Sequence, residues 1–272
     1  MNMSTIQLAN GREIPQVGLG LWQVKRAAEF ATVFDAAVAA GYRHFDSAQV
    51  YGNEALLGEA WRRSGLAREE LYLTTKISVE HILTGRTEQS FVQSLVGLQT
   101  EYVDLLLLHF PVPVVRKKAW KVLETICQRG QARAIGVSNY TVRHLEEMQA
   151  HADVMPVVNQ VELHVFLQQP ELVQYCRQRG IVLEAYSPLA HGKRMHDPVV
   201  QGIAERHGKT YAQIMLRWGV ESGFVVLPKS TTPERVRENL AIFDFEFYLD
   251  DIDKLARLDR NLRTCWSPVH VP

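Results

Sequence analysis

Short apolar runs alternate along the whole chain with longer amphipathic stretches, and no linker interrupts them. The strand-like runs are Gln16–Leu19, Tyr42–Asp46, Leu71–Lys76, Val103–His109, Ala134–Ser138, Val157–Glu162, Ile181–Ala185 and Phe224–Leu227. Between them the apolar residues recur at helical spacing, as in Ala28–Ala40, Glu54–Ser64, Thr87–Leu98, Lys117–Arg129 and Glu171–Arg179. Gly41, Gly65, Gly130 and Gly180 stand just past helical stretches, where a left-handed cap suits glycine. Pro170 fits a first helical turn, and Thr141 and Asp197 fit N-caps. Strands that alternate with helices predict parallel pairing, and eight such units predict one (β/α)8 TIM barrel spanning residues 1–272 as a single domain. Ahead of it, Thr5 to Ile14 reads as a β-hairpin with Asn10-Gly11 as a two-residue turn. A doubly wound nucleotide-binding sheet is the competing fold. Its glycine fingerprint is missing: Gly18-Leu19-Gly20 has no third glycine three positions on, and no helical pattern opens behind it.

Composition narrows the function. The 272 residues are 46% hydrophobic, enough for a large core, and 30 basic against 30 acidic residues give zero formal net charge. A nucleic-acid surface is not expected from that balance. Cys127, Cys176 and Cys265 are scattered, without the spacing of a metal site, and read as free thiols. No apolar run approaches the roughly 20 residues that span a bilayer, and the first residues lack an export pattern. The expectation is a cytoplasmic protein with no membrane or nucleic-acid partner.

Four polar residues stand at or just beyond the ends of apolar runs: Asp46 and Tyr51 in HFDSAQVYGNE, Lys76 in LYLTTK and His109 in YVDLLLLH. In an α/β barrel that edge is where loops converge and chemistry is done. Together they make an acid-catalysis set: a phenol that donates a proton, a cation that lowers its pKa, a carboxylate that holds the cation, and an imidazole that polarises a carbonyl. Taken singly, each has a plain alternative: a loop tyrosine, a solvated lysine, a capping aspartate, a core histidine. Farther on, Leu227-Pro228-Lys229-Ser230-Thr231-Thr232-Pro233 runs from the last strand into a short helix carrying Arg235, Glu238 and Asn239. Free backbone N–H groups, hydroxyls and two cations there suit a phosphate monoester. An ordinary surface helix is the plain alternative.

The segments HFDSAQVYGNE, LTTK, LLLLH, GVSN and LPKSTTPERVREN stand in the order and spacing of the aldo-keto reductases and span nearly the whole chain. The chain resembles a short bacterial member, similar to the 2,5-diketo-gluconate reductases. The resemblance implies that the hairpin closes the bottom of the barrel and that Asp46, Tyr51, Lys76 and His109 are the catalytic tetrad. It implies NADPH as cofactor. Lys229, Ser230 and Arg235 would hold the 2′-phosphate, with Thr231 also in the cofactor site and Glu238 and Asn239 at the adenine. Ser138, Asn139 and Gln160 would meet the nicotinamide carboxamide, and Tyr186 would stack on its ring. Ser187 and Leu189 would lie along the pyrophosphate. The implied activity is reduction of aldehydes or activated ketones, keto-sugar acids and methylglyoxal among them, by a monomer without a metal.

Some positions depart from the family's commoner pattern. Leu21 replaces a frequent threonine near the nicotinamide ribose, Phe110 a frequent tryptophan, and Ser78 a bulkier aromatic. Trp22 and Phe110 are the expected substrate contacts. The segments after the fourth and seventh strands are short, and the tail from Arg263 to Pro272 has ten residues, so an open mouth is expected. Two other readings remain at this point. A nicotinamide-binding sensor or partner subunit would keep the same barrel with little catalysis. A metal-dependent hydrolase would need ligands on several strand ends, where only His109 and Asp46 offer themselves.

Overall fold

In the computed structural model, which describes residues 4–272, strands form where the apolar runs stand. Residues 1–3, the start of the segment read as lacking an export signal, lie outside the described residues. The barrel strands are β3 (Gly18–Gly20), β4 (His44–Asp46), β5 (Tyr72–Ile77), β6 (Val103–Leu108), β7 (Ala132–Ser138), β8 (Val158–Glu162), β9 (Val182–Tyr186) and β10 (Val225–Leu227). They pair in parallel in sequence order, and the sheet returns on itself through a parallel bridge between Val17 and Val226. The Val226 N–H donates to Gln16 O at 2.9 Å and the Gly20 N–H to Pro228 O at 2.9 Å, which closes the circle. The barrel expected from the alternation is the fold observed.

The outer ring consists of α1 (Ala27–Ala40), α2 (Glu54–Ser64), α4 (Thr87–Gly97), α5 (Arg116–Gln128), α6 (Val142–Gln149), α7 (Pro170–Gln178), α9 (Tyr211–Glu221) and α10 (Pro233–Leu240). Gly41, Gly65, Gly130 and Gly180 all have positive φ, as their places past helix ends require. The Asp197 carboxylate accepts the Val199 N–H at 3.1 Å, the expected N-cap. Three further helices lie outside the alternation: the short α3 (Val79–Leu83), α8 (Pro198–His207) and α11 (Leu249–Ala256). α8 and α11 pack together over a satellite core containing Phe166, Val200, Ile203 and Leu255.

The hairpin pairs β1 (Thr5–Gln7) with β2 (Glu13–Pro15). Its turn differs from the expected two-residue form. The Leu8 N–H donates to Arg12 O at 2.7 Å and the Gly11 N–H to Leu8 O at 2.9 Å, so three residues, Ala9, Asn10 and Gly11, make the loop. Only Gly11 adopts positive φ, at 80°, whereas a two-residue type I′ turn needs it at both central positions. Leu8 and Ile14 pack against Leu105, Leu107, Val158 and Val225 in the barrel interior. The hairpin is therefore an apolar plug at the N-terminal end.

Candidate active site

Strand alternation turns every second residue inward, so Asp46, at the end of β4, and Lys76, near the end of β5, both face the interior. Lys76 is fully buried, and its Nζ donates to Asp46 Oδ1 at 2.6 Å and to Ser47 O at 2.9 Å. Its third donor reaches the Tyr51 hydroxyl at 3.4 Å. Tyr51 ends a single 3₁₀ turn, Gln49–Tyr51, and Gly52 in the left-handed region closes that turn, so the ring leans over the barrel. His109 follows β6 directly, with its ring 5.9 Å from the Tyr51 ring, edge to face. The four residues expected to act together are brought together.

Their electrostatics differ in one respect from the sequence expectation. Burial pushes the Tyr51 phenol up, and the Lys76 ammonium pulls it down without prevailing. The phenol therefore does not have a lowered pKa here, because desolvation of a phenolate outweighs one already paired cation. It keeps its proton at neutral pH, and the ammonium acts instead on the phenolate that remains once the proton is given. For Lys76, burial opposes the charge, but Asp46 and Tyr51 prevail and raise its pKa. Burial, reinforced by Lys76, pushes His109 down to about 3, so it stands as a neutral imidazole able to donate one N–H.

Trp22 lies over Tyr51, ring centroids 4.9 Å apart, and is 41% exposed, as a pocket-wall residue should be. Phe110 is half-buried just beyond His109. Ser78 is not an open pocket position: its hydroxyl caps α3 by accepting the His81 N–H. Leu21 is fully buried and offers no polar group.

The residues expected around the carboxamide form a connected set. Ser138 Oγ donates to Gln160 O at 2.9 Å, and Asn139 Nδ2 donates to His109 O at 3.1 Å. The Tyr186 hydroxyl donates to Asn139 Oδ1 at 2.7 Å, which ties the ring to the amide. Asn139 sits at φ 65°, a strained value that turns its side chain off the end of β7. Gln160 is committed inward, its Nε2 donating to Asp46 Oδ2 and to Glu184 Oε2, each at 2.9 Å. Beyond Tyr186, Ser187 turns the chain at φ 48° and Leu189 is half-buried.

A second cluster lies at the adjoining turn from β10 into α10. Lys229 and Arg235 are exposed, and neither has an acidic partner within 4.0 Å among the described residues. The Ser230 hydroxyl accepts the Thr232 N–H at 3.0 Å and shapes the turn; Thr231 and Glu238 are half-buried and Asn239 is buried. Two cations without counter-ions at a helix N-terminus suit a phosphate monoester. Other cations find acidic partners: Arg206 on α8 pairs with Asp250 on α11, and Lys209, just after α8, with Asp244.

The segment from Arg263 to Pro272 is held at both ends. Glu162, buried at the end of β8, accepts the Thr264 N–H at 2.7 Å and the Cys265 N–H at 3.1 Å. Burial alone would raise its pKa, but bonds from His164 and Thr264 prevail and hold it down at about 2. At the far end His144 Nε2 lies 3.0 Å from Val271 O, and Arg116 donates to Pro272 O at 2.6 Å. Trp266, 80% exposed, lies between the two anchors.

Sequence reasoning missed three interior residues: His44, Glu162 and Glu184. The signal was available. Each stands two residues from a recognised site residue on the same strand (Asp46, Gln160 and Tyr186), and therefore shares its inward face.

Comparison with known proteins places the chain in a family. The model of the aldo/keto reductase family matches residues 16–260. Glyoxal reductase of Bacillus subtilis is 43% identical, with 97% of this chain and 96% of that protein covered. Methylglyoxal reductase DkgA of Escherichia coli K12 is 38% identical, with 96% of each covered. The crystal structure of a Bombyx mori aldo-keto reductase in complex with NADP superposes with a TM-score of 0.90 at 30% identity, covering 97% of this chain and 95% of that one. On its fold, its strand-end residues and these relatives, the chain belongs to the aldo/keto reductase family.

Proposed function

We propose that this protein reduces small aldehydes or activated ketones with NADPH, taking the proton from Tyr51. The observation that carries the reading is the buried Lys76 ammonium, bonded at once to Asp46 and to the Tyr51 hydroxyl at the mouth of the barrel. Lys229, Ser230, Thr231 and Arg235 would hold the cofactor's 2′-phosphate, with Glu238 and Asn239 at the adenine. Ser138, Asn139 and Tyr186 would take the nicotinamide end, Gln160 would brace them from below, and Ser187 and Leu189 would flank the pyrophosphate. Bound there, the cofactor supplies hydride to the carbonyl carbon. The unpartnered cations at the β10–α10 turn support a 2′-phosphorylated dinucleotide over one without that group.

The chain's own residues do the rest. Neutral His109 donates a hydrogen bond to the carbonyl oxygen and orients it beside the Tyr51 hydroxyl. Tyr51 gives its proton to the developing alkoxide, and Lys76 stabilises the phenolate left behind. Trp22 and Phe110 form apolar walls that limit water. Relatives named for glyoxal and methylglyoxal reduction support a small dicarbonyl as substrate. In this reading the protein works as a monomer in the cytoplasm. The sensor alternative shares the cofactor site but has no use for a complete proton-donating set.

The test is a panel of methylglyoxal, keto-sugar acids and aromatic aldehydes with NADPH, run on wild type and on Tyr51→Phe. Turnover by wild type and its loss in a variant that still binds NADPH support the reading. Binding without turnover on any substrate leaves the sensor.

A further inference from the structure

Between the apolar plug and the mouth, the barrel interior holds an acid that the proton-donating set does not use. Glu184 lies two residues before Tyr186 on β9, faces inward and is fully buried. Its Oε2 accepts from Gln160 Nε2 at 2.9 Å, and the same nitrogen donates to Asp46 Oδ2 at 2.9 Å. Its Oε1 has no hydrogen-bond partner among the described residues. His44 Nε2 is 3.6 Å from that oxygen but lies closer to Thr74 Oγ1, at 3.1 Å. The His44 ring is wedged against β3, where a Cβ on Gly18 would come within 2.6 Å of Nδ1, so the layer is built tightly. The titratable groups facing Glu184 are His44 and Asp46 on β4 and Tyr72 and Lys76 on β5. The neighbouring strands put neutral Gln160 and Val225 beside it.

Charge counting assigns their states. Burial pushes His44 down to about 4, so the groups facing Glu184 supply one cation, Lys76, to be shared by two carboxyls, Asp46 and Glu184. A buried ion without a counter-ion is costly, and one carboxyl must stay protonated. Asp46 has Lys76 at 2.6 Å and keeps the charge. Glu184 keeps the proton, with Oε1 free to carry it. Burial first and the Asp46 charge second push its carboxyl up to about 8.

We propose that Glu184 is a positioning residue of the reduction: as a neutral acid it braces Gln160 against Asp46 and leaves Lys76 to one carboxylate, and loss of its proton slows delivery from Tyr51. The inference rests on Tyr51 being the proton donor. Ionised, Glu184 adds a second negative charge beside Asp46 and Lys76, which offsets part of the ammonium's pull on the Tyr51 phenolate and makes the phenol a weaker acid. The Gln160 brace needs only an acceptor oxygen on Glu184, whereas the single ion pair depends on its proton.

The experiment is kcat against pH for wild type and Glu184→Gln, with saturating NADPH and an aromatic aldehyde. Glutamine keeps an acceptor for Gln160 and cannot ionise. Wild-type kcat should fall about tenfold from pH 7 to pH 9, because a group titrating near 8 keeps roughly a tenth of its protonated form one unit higher. Glu184→Gln should stay within about twofold of wild type at pH 7 and hold that rate to pH 9. Both KM values should move less than about twofold, since Glu184 touches neither ligand. The same alkaline fall in the variant, or a uniform loss at every pH, overturns the proposal. Infrared titration of wild type gives a reading that needs no variant. A carboxylic-acid C=O band present at pH 7 and lost with a midpoint near 8 is expected, and its absence at pH 7 overturns the assignment. Tyr51→Phe separates the two ideas: it should lose turnover but keep the band, whereas full turnover in Tyr51→Phe would remove the donor and leave the Glu184 titration intact.

Discussion

Lys76→Met tests the centre of the site most directly. The Lys76 ammonium lies 3.4 Å from the Tyr51 oxygen. At an effective dielectric of ~20, a unit charge at that separation stabilises a phenolate by about 5 kcal/mol. The Asp46 carboxylate bound to the same ammonium cancels part of this, leaving on the order of 3 kcal/mol, roughly a hundredfold in rate. Methionine fills similar volume without charge, so kcat for aldehyde reduction should fall between about 10²- and 10³-fold, with little change in KM. Single-turnover fluorescence of bound NADPH measures the chemical step without product release. The decisive comparison is the double variant. In a Tyr51→Phe background no phenolate forms, and Lys76→Met should then cost less than about tenfold more. The substitution also leaves Asp46 buried with only the Gln160 amide as donor, so thermal stability should drop; adding Asp46→Asn should recover it without recovering the rate. A kcat within tenfold of wild type for Lys76→Met, or an equal penalty in the Tyr51→Phe background, would refute the role given to the ammonium.

Tyr51→Phe should lower kcat by about 10²- to 10⁴-fold while NADPH affinity by fluorescence titration stays within twofold; retained turnover removes it as donor. Arg235→Ala removes a charge-assisted phosphate contact and should weaken NADPH binding by roughly 10- to 100-fold, leaving NADH unchanged; equal losses for both cofactors would rule out a 2′-phosphate contact. Because burial holds His109 near 3, it stays neutral above that pH, and kcat/KM should show no inflection near the ordinary imidazole value of ~6.5. An inflection there that His109→Gln abolishes would contradict a neutral histidine. Glu162 is held at about 2, below an unfolded carboxyl near ~4.3, so its tail contacts contribute stability above the unfolded value that is lost as pH falls towards 2. Glu162→Gln should therefore free the tail to limited proteolysis at neutral pH, and equal cleavage rates would show that the tail is held elsewhere.

Local pattern was enough for the architecture. Short apolar runs ending in polar residues, separated by helical periodicity and glycine caps, permit few arrangements other than a parallel barrel, because each strand must bury one face on its helices and the other on the interior. The same runs placed Asp46, Lys76 and His109 at the productive edge, since a strand's last inward residue meets whatever the loops enclose. The hairpin was visible too, but not its turn: Asn-Gly is compatible with two turn geometries, and pairing between Leu8 and Arg12 selected the longer one. What no stretch of sequence states is which inward residues from different strands meet. Asp46, Gln160 and Glu184 stand far apart in the chain, and only barrel closure sets one amide between two acids. The sign of the Tyr51 shift is likewise tertiary. Proximity to a lysine is legible from family spacing, whereas desolvation depends on everything packed around the ring, and here desolvation is the larger effect.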